Sequence, residues 1–277
     1  MNIFGRDIRI GSFVASEYMC YLASFDSDSG VREEDTDMAI ETIEEFIADN
    51  PVPRYLGQKY SSKLHPRAVL TKDSCVTTEE FFSEYDIRAI LRLITGQRGY
   101  QWMKIITDEI GEDIWYRVRV EKVSYQKISG RVAGIILDME CDSQFAWSTE
   151  QLVVIPAKAN VPFTVYSNSD DLHSYLYPYV EIIPSARGSI SIKNTDDKDW
   201  TVRLHNVIAK ETIRYDCANG IIDGSRNDSG VAMINYLDNS NTHFFRLLPG
   251  RNTFVSDMDA QITWKFREPR KVSFAII

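Results

Sequence analysis

The chain has 277 residues, 44% of them hydrophobic and 26% charged. At roughly 100–200 residues per domain this length suggests about two domains, and the composition excludes a disordered chain, a collagen and a coiled-coil rod. Lys and Arg number 31 against 40 Asp and Glu, a formal net charge of −9, so the chain as a whole is not built to attract a phosphate backbone.

Residues 1–25 carry short apolar stretches that read as one or two strands, and Arg6, Asp7 and Arg9 interrupt any apolar leader core. No signal peptide is therefore expected. No apolar run reaches 18 residues, so no membrane-spanning helix is expected either. Residues 26–49 are strongly acidic, with Asp26, Asp28, Glu33, Glu34, Asp35, Asp37, Glu41, Glu44 and Glu45 against a lone Arg32. The DSDSG start fails as an EF-hand loop because Gly30 falls at loop position 5 and the chelating residue there is lost. The segment reads as a solvated loop or a strand with one charged face. Pro51 and Pro53 punctuate the stretch that follows, which reads as strand, turn, strand with aromatics at Tyr55 and Tyr60.

One helix is predicted, from about Glu79 to Thr95. Thr77 and Glu80 have the spacing of a capping box, and Ile87, Ile90, Leu91 and Ile94 fall on one helical face. Glu84 and Arg88 are spaced i, i+4, and Gly96 stands where a left-handed C-terminal residue belongs. Strands follow. In residues 114–121, Ile114, Tyr116, Val118 and Val120 alternate with Trp115, Arg117, Arg119 and Glu121, the period of a half-buried antiparallel strand. Residues 131–142 read as the next strand.

The texture changes near residues 143–161. Beyond Pro162 come short strand candidates, PFTVYS, YVEII, GSISIKN, TVRLHN, TIRYDC, AMINYL, HFFRLL, NTFVSD and QITWKF, separated by Asn, Asp, Gly and Ser. This pattern predicts an all-β sandwich or barrel. The division expected is residues 1–146 and residues 147–277.

Chemistry is sparse. No phosphate loop, G-x-S-x-G elbow or H-E-x-x-H is present. His65, His173, His205 and His243 are scattered, and His205 is read as a packed or hydrogen-bonded strand histidine. Cys20, Cys75, Cys141 and Cys217 lack metal or redox spacing and are read as small buried hydrophobes of a protein folded in a reducing cytoplasm. Forty acidic residues make chance carboxylate pairs, so glycoside hydrolysis stays open, but no catalytic, cofactor-binding or metal-ligating residue is assigned. Tyr166, Tyr175, Tyr177, Tyr179, Trp200, Tyr236 and Trp264 could stack on sugar rings, yet alternating strand aromatics more often fill a core.

The order of several segments is similar to that in the distal tail proteins of long-tailed, non-contractile bacteriophages. These are SFVASEY, PRYLGQKYSSKLHPRAVLT, EYDIRAILRLITGQRGYQWMKI and ILDMECDSQFAW, then YPYVEIIPSARGSISIKN, KETIRYDCANGIID and LLPGRNTFVS. The resemblance implies a mainly β protein with one helix. Its N-terminal β-sandwich or barrel domain would form a tube-like ring, and a galectin-like sandwich would follow. It implies a hub at the virion tail tip, assembled in the host cytoplasm as a homo-hexamer, with two stacked rings as a variant. The partners implied are a tail-tube protein and tip or receptor-binding proteins, with no catalysis, cofactor, membrane insertion or specific nucleic acid binding. A genome could pass through the channel, and six copies would carry about −54 formal charges. The galectin sugar motif H-x-N-P-R is absent, since Asn206, Val207 and Ile208 follow His205. The alternative reading is a carbohydrate-binding sandwich that recognises host-surface glycans.

Overall fold

The computed structural model describes residues 6–23, 40–48, 51–60, 63–73, 80–96, 98–106, 113–225, 236–237 and 242–271. The chain divides into two compact units, Met1–Trp147 with Lys271–Ile277, and Ser148–Arg270. Both are mainly β, and among the described residues there is one α-helix. No helix among them is long and apolar enough to cross a membrane.

In chain order the first unit contains β1 (Asp7–Ile10), β2 (Phe13–Val14), β3 (Cys20–Leu22), β4 (Ile40–Glu45), β5 (Arg54–Tyr60) and β6 (Arg67–Lys72). The helix α1 (Glu84–Thr95) follows, then β7 (Gln101–Ile106), β8 (Trp115–Ile128), β9 (Arg131–Cys141) and β10 (Ala146–Trp147). The main sheet runs β2-β1-β7-β8-β9-β6-β3, and its pairs are antiparallel. Tyr116 and Val118 of β8 are buried while Arg117 and Arg119 are exposed, the alternation read from the sequence. Ser129 and Gly130, both at positive φ, close the β8–β9 hairpin, a conformation that costs glycine nothing. The core gathers Ile8, Ile10, Leu70, Met103, Ile135, Leu137 and Met139, and α1 adds Ile90 and Ile94. Each such aliphatic side chain contributes about 1.5–3 kcal/mol when fully buried.

The helix starts later than the sequence predicted. Ser83, not Thr77, is the N-cap: its hydroxyl accepts from the Asp86 N–H at 3.1 Å, and its own N–H donates to Asp86 Oδ2 at 3.0 Å. Thr77 lies outside the described residues. The reason for the late start is Phe82, whose N–H donates to Val132 O in a bridge to β9 and is therefore not available to a helical turn. Gly96 is right-handed (φ −76°), not left-handed. A glycine is needed there because a Cβ would collide with the Arg92 carbonyl oxygen.

The second unit packs two antiparallel sheets face to face. One has the order β11-β19-β13-β16-β17 and the other β12-β18-β14-β15. The strands are β11 (Gln151–Ala157), β12 (Phe163–Ser167), β13 (Tyr179–Pro184), β14 (Gly188–Asn194), β15 (Trp200–Val207), β16 (Ile213–Asp216), β17 (Ile221–Gly224), β18 (Gly250–Ser256) and β19 (Ala260–Phe266). Val180, Ile182, Ile190, Ile192, Leu204, Phe254 and Trp264 meet in one core. The fully buried Asn252 ties the loop before β18 to β14: its Oδ1 accepts from Asn194 Nδ2 at 3.0 Å and from Leu248 N at 2.8 Å.

Two local features were not foreseen. Residues 143–161, where the texture of the sequence changes, contain β11, hydrogen-bonded along its length to β19. HFFRLL is not a strand; among the described residues its one β-bridge is Leu176–Leu247. Side chains hold it instead, with Phe245 edge-on to Tyr215 and Trp264. Most of AMINYL lies outside the described residues.

Candidate functional site

The aromatics weighed as a sugar platform divide between the core and the surface. Trp264 and Tyr236 are fully buried, and the Tyr236 hydroxyl donates to Glu211 at 2.6 Å. Arg246 occupies two other rings, its Cζ lying 3.9 Å from the Tyr175 ring centre and 3.5 Å from that of Trp200. His243 stacks on Trp200 at 3.8 Å, and the buried Asp197 carboxylate accepts two bonds from Arg246, at 2.7 and 3.2 Å. This is a cation–π stack in which Arg246 covers one face each of Tyr175 and Trp200 and His243 stacks on Trp200. Lys265 sits 5.4 Å from the Tyr179 ring. Tyr166, Tyr175 and Tyr177 are the exposed members of the set.

Nothing groups the candidate reactive residues. Among the described residues no cluster of three or more His, Cys, Asp or Glu could hold a metal ion. The His205 ring pairs with Ser189 Oγ at 2.9 Å. Cys20, Cys141 and Cys217 are free and buried, and burial pushes the Cys20 and Cys217 thiols up to about 12, so both stay protonated and unreactive near neutral pH. Cys75 and acidic residues 26–39 lie outside the described residues.

What stands out is unfinished surface in the first unit. β7 pairs with β8 only as far as Val118, and from Arg119 to Ile128 β8 is bonded to β9 alone among the described residues. A bare strand edge of this length is a template for another strand. β4 and β5 form a two-stranded sheet of their own. All of β4 is exposed, and Ile40, Ile43, Phe46, Ile47, Tyr55 and Leu56 present apolar side chains to solvent, Phe46 at 80% exposure. Two strands alone are at best marginally stable in water, and clustered exposed apolar side chains mark an interaction site.

The third feature is a groove of about 570 Å³ beside α1, lined by Ile87, Leu91, Tyr125, Arg88, Arg92 and Glu84 among others. Ile87 and Leu91 belong to the apolar stripe read from the sequence, yet they are only half-buried, and their outer sides form the groove. Two polar anchors flank these surfaces. Lys72, its side chain 2% exposed, bonds Asp86 Oδ2 at 3.0 Å, so a buried ammonium ties β6 to the helix cap. Burial raises the Asp86 pKa, but bonds from Ser83 and Lys72 outweigh it and hold the carboxyl below its usual range. Across β8 and β9, Glu140 accepts from Lys63, from Tyr100 Oη at 3.0 Å and from Arg119 at 3.2 Å. The Lys63 bond, foremost, brings its carboxyl down to about 2.

The sequence held the parts of these surfaces but gave no sign of their exposure. The apolar content of residues 40–56 is visible in the residues, whereas the bare edge exists only because β7 ends before β8 does.

Comparisons with known proteins bear on both units. A family model described as a phage tail protein N-terminal domain matches residues 10–143, and one described as a phage tail C-terminal domain matches residues 145–266. Among curated proteins there is no match. Among solved structures, the Dit protein of phage SPP1, described as a paradigm of the hub adsorption apparatus in phages infecting Gram-positive bacteria, aligns with a TM-score of 0.63 at 12% identity, covering 94% of this chain and 98% of its own. A chain of the phage P2 baseplate in its activated conformation with calcium aligns at 0.50 and 9% identity, covering 97% of this chain and 99% of its own. The same baseplate with strontium gives 0.50 at 8% identity, with the same coverage. At such identities these structures speak to the fold, which extends across both units.

Proposed function

We propose, for a chain that belongs to the phage tail protein family, a structural role as the hub of the tail tip. In this reading the N-terminal unit assembles into a hexameric ring that continues the tail tube. The C-terminal unit, a galectin-like sandwich, is the platform for tip and receptor-binding proteins. The protein is not an enzyme. It assembles in the host cytoplasm and ends in the virion tail, and the tail-tube protein is its partner on the other side. Two stacked rings are a further form of the same assembly.

The observation that carries the reading is the unfinished edge of the first unit. β8 from Arg119 to Ile128 and the whole β4–β5 hairpin have surfaces that a monomer leaves in water. A ring gives every copy a neighbour on each side and leaves no terminal copy unsatisfied. The acidic balance agrees with a channel through which DNA slides without binding. The likeness to the SPP1 Dit protein over 94% of the chain supports the same role.

Electron microscopy of the full-length protein with light scattering tests this. The expected result is a ring with a central channel and a mass near six times 31.8 kDa, about 190 kDa. A chain that stays monomeric at high concentration, with or without the tail-tube protein, overturns it.

A further inference from the structure

We infer that the β4–β5 hairpin of one copy lies in the groove beside α1 of the next copy. The inference rests on the ring-forming reading and names one of its contacts. Two different surfaces of the same chain need cover, and their chemistry is complementary.

The hairpin carries Ile40, Ile43, Phe46 and Ile47, all exposed, on and just after a strand that also bears Glu41, Glu44 and Glu45. Its register sets Glu41 opposite Lys59 and Glu45 opposite Arg54, while Glu44 faces Tyr55 and has no basic residue across from it. The groove offers the converse. Its apolar lining is Ile87, Leu91 and Tyr125, and its charged lining is Arg88 and Arg92 against a single Glu84, a net basic balance. Neither arginine forms an ion pair among the described residues. Apolar side chains would meet the apolar lining, and an acidic strand would meet a net basic one. Electrostatic matching of this kind selects the partner and fixes its register.

Symmetry points the same way. A contact between two copies of one patch is isologous and stops at a dimer. A contact between two different patches, hairpin and groove, is heterologous, and it closes into a ring when the rotation per copy permits. Hairpin into groove is therefore the kind of contact a ring requires, and it leaves the β8 edge free to pair separately.

The test uses full-length chains with Cys75→Ser, the other three cysteines being buried. One chain carries Ile43→Cys and the other, separately tagged, Thr95→Cys at the exposed end of the groove. The two are mixed and oxidised mildly. A covalent heterodimer should form in the mixture and in neither chain alone. Arg88→Glu with Arg92→Glu should cut its yield at least ten-fold, and Glu44→Arg with Glu45→Arg on the partner should restore most of it. Far-UV circular dichroism and melting temperature establish that each variant is folded. Rings without the cross-link, or cross-links indifferent to the charge reversal, overturn the hairpin contact and leave the hub reading standing. A cross-link inside a doubly substituted single chain, or a Thr95→Cys chain that joins only to an added tail-tube protein, overturns it as well. Absence of any ring from the unmodified chain removes both.

Discussion

The two units solve the same problem differently. In the C-terminal sandwich, β13, β14, β18 and β19 each turn alternate residues into one core, and both sheets contribute to closing it. In the N-terminal unit the main sheet and α1 also share a core, but a long strand edge, an apolar hairpin and an apolar groove are left over. On the proposed reading the first unit is completed only by its neighbours in an assembly, whereas the second stands alone. That is the division of labour expected of a hub, one part building the ring and the other presenting a surface.

The largest effect expected is all-or-none. A fragment of residues 148–270 should be monomeric and folded, while the full-length chain forms rings. Light scattering on both decides it, and a fragment that oligomerises reverses the assignment of roles. Next comes Trp264→Ala. Trp264 is fully buried and touches Phe245 and Phe254. Its truncation should cost the C-terminal unit about 3–5 kcal/mol, seen as an earlier denaturant transition. Ring mass and the N-terminal transition should not change. If both transitions move together, the units are not independent.

Asp86→Ala probes the other core. It removes the helix N3 partner and strands the Lys72 ammonium in a site where the side chain is 2% exposed. Breaking a buried pair in this way costs about 3 kcal/mol or somewhat more. Lys72→Met together with Asp86→Ala should recover much of that, since no buried charge then lacks a partner. Chemical denaturation of the three variants measures it, and a double variant no better than Asp86→Ala alone removes the ion pair from the account.

Much of the fold was legible because both cores obey simple periods. The alternation of residues 114–121 and of the C-terminal strands marks their buried faces, and the i, i+3, i+4 spacing from Ile87 to Ile94 marks the helix. The misreadings have local causes. Two S/T-x-x-D/E boxes stand near the helix start, and a bridge from Phe82 to β9, remote in sequence, selects the second. β11 escapes notice because it is an edge strand whose outward Leu152 and Val154 are exposed, so its apolar residues do not report burial. HFFRLL reads as a strand from its run of apolar residues, yet Phe245 is buried by ring packing against Tyr215 and Trp264 and the segment forms no ladder. The candidate assembly surface was hardest to read, since exposure at an interface and burial in a core call for the same residues.

The smallest effect concerns pH and belongs to the N-terminal unit. Glu140 on β9 is bound first by Lys63 and also by Tyr100 and Arg119, and its carboxyl lies at about 2 against an ordinary value of 4.5. A folded-state pKa below the unfolded one means that the unfolded chain binds the proton more readily. The network's contribution to stability is thus fully present above about pH 4.5 and is lost as the pH falls through about 2. Lys63 responds in the complementary sense, its ammonium held above the usual lysine range by the same contact. Both groups lie near the surface, where salt screens them, so the gain is small and weaker in high salt. Carboxyl NMR titration should place the Glu140 midpoint near 2. Lys63→Met should move it back toward 4.5, and Tyr100→Phe, which removes one weaker donor, should move it less. The C-terminal unit lacks this network, so between pH 4.5 and 2 neither substitution should alter its transition. A Glu140 midpoint near 4.5 in the unaltered protein would show that Lys63 and Glu140 are not bonded in solution and that this stretch of β9 is held by its backbone bonds to β8 and to residues 64–66.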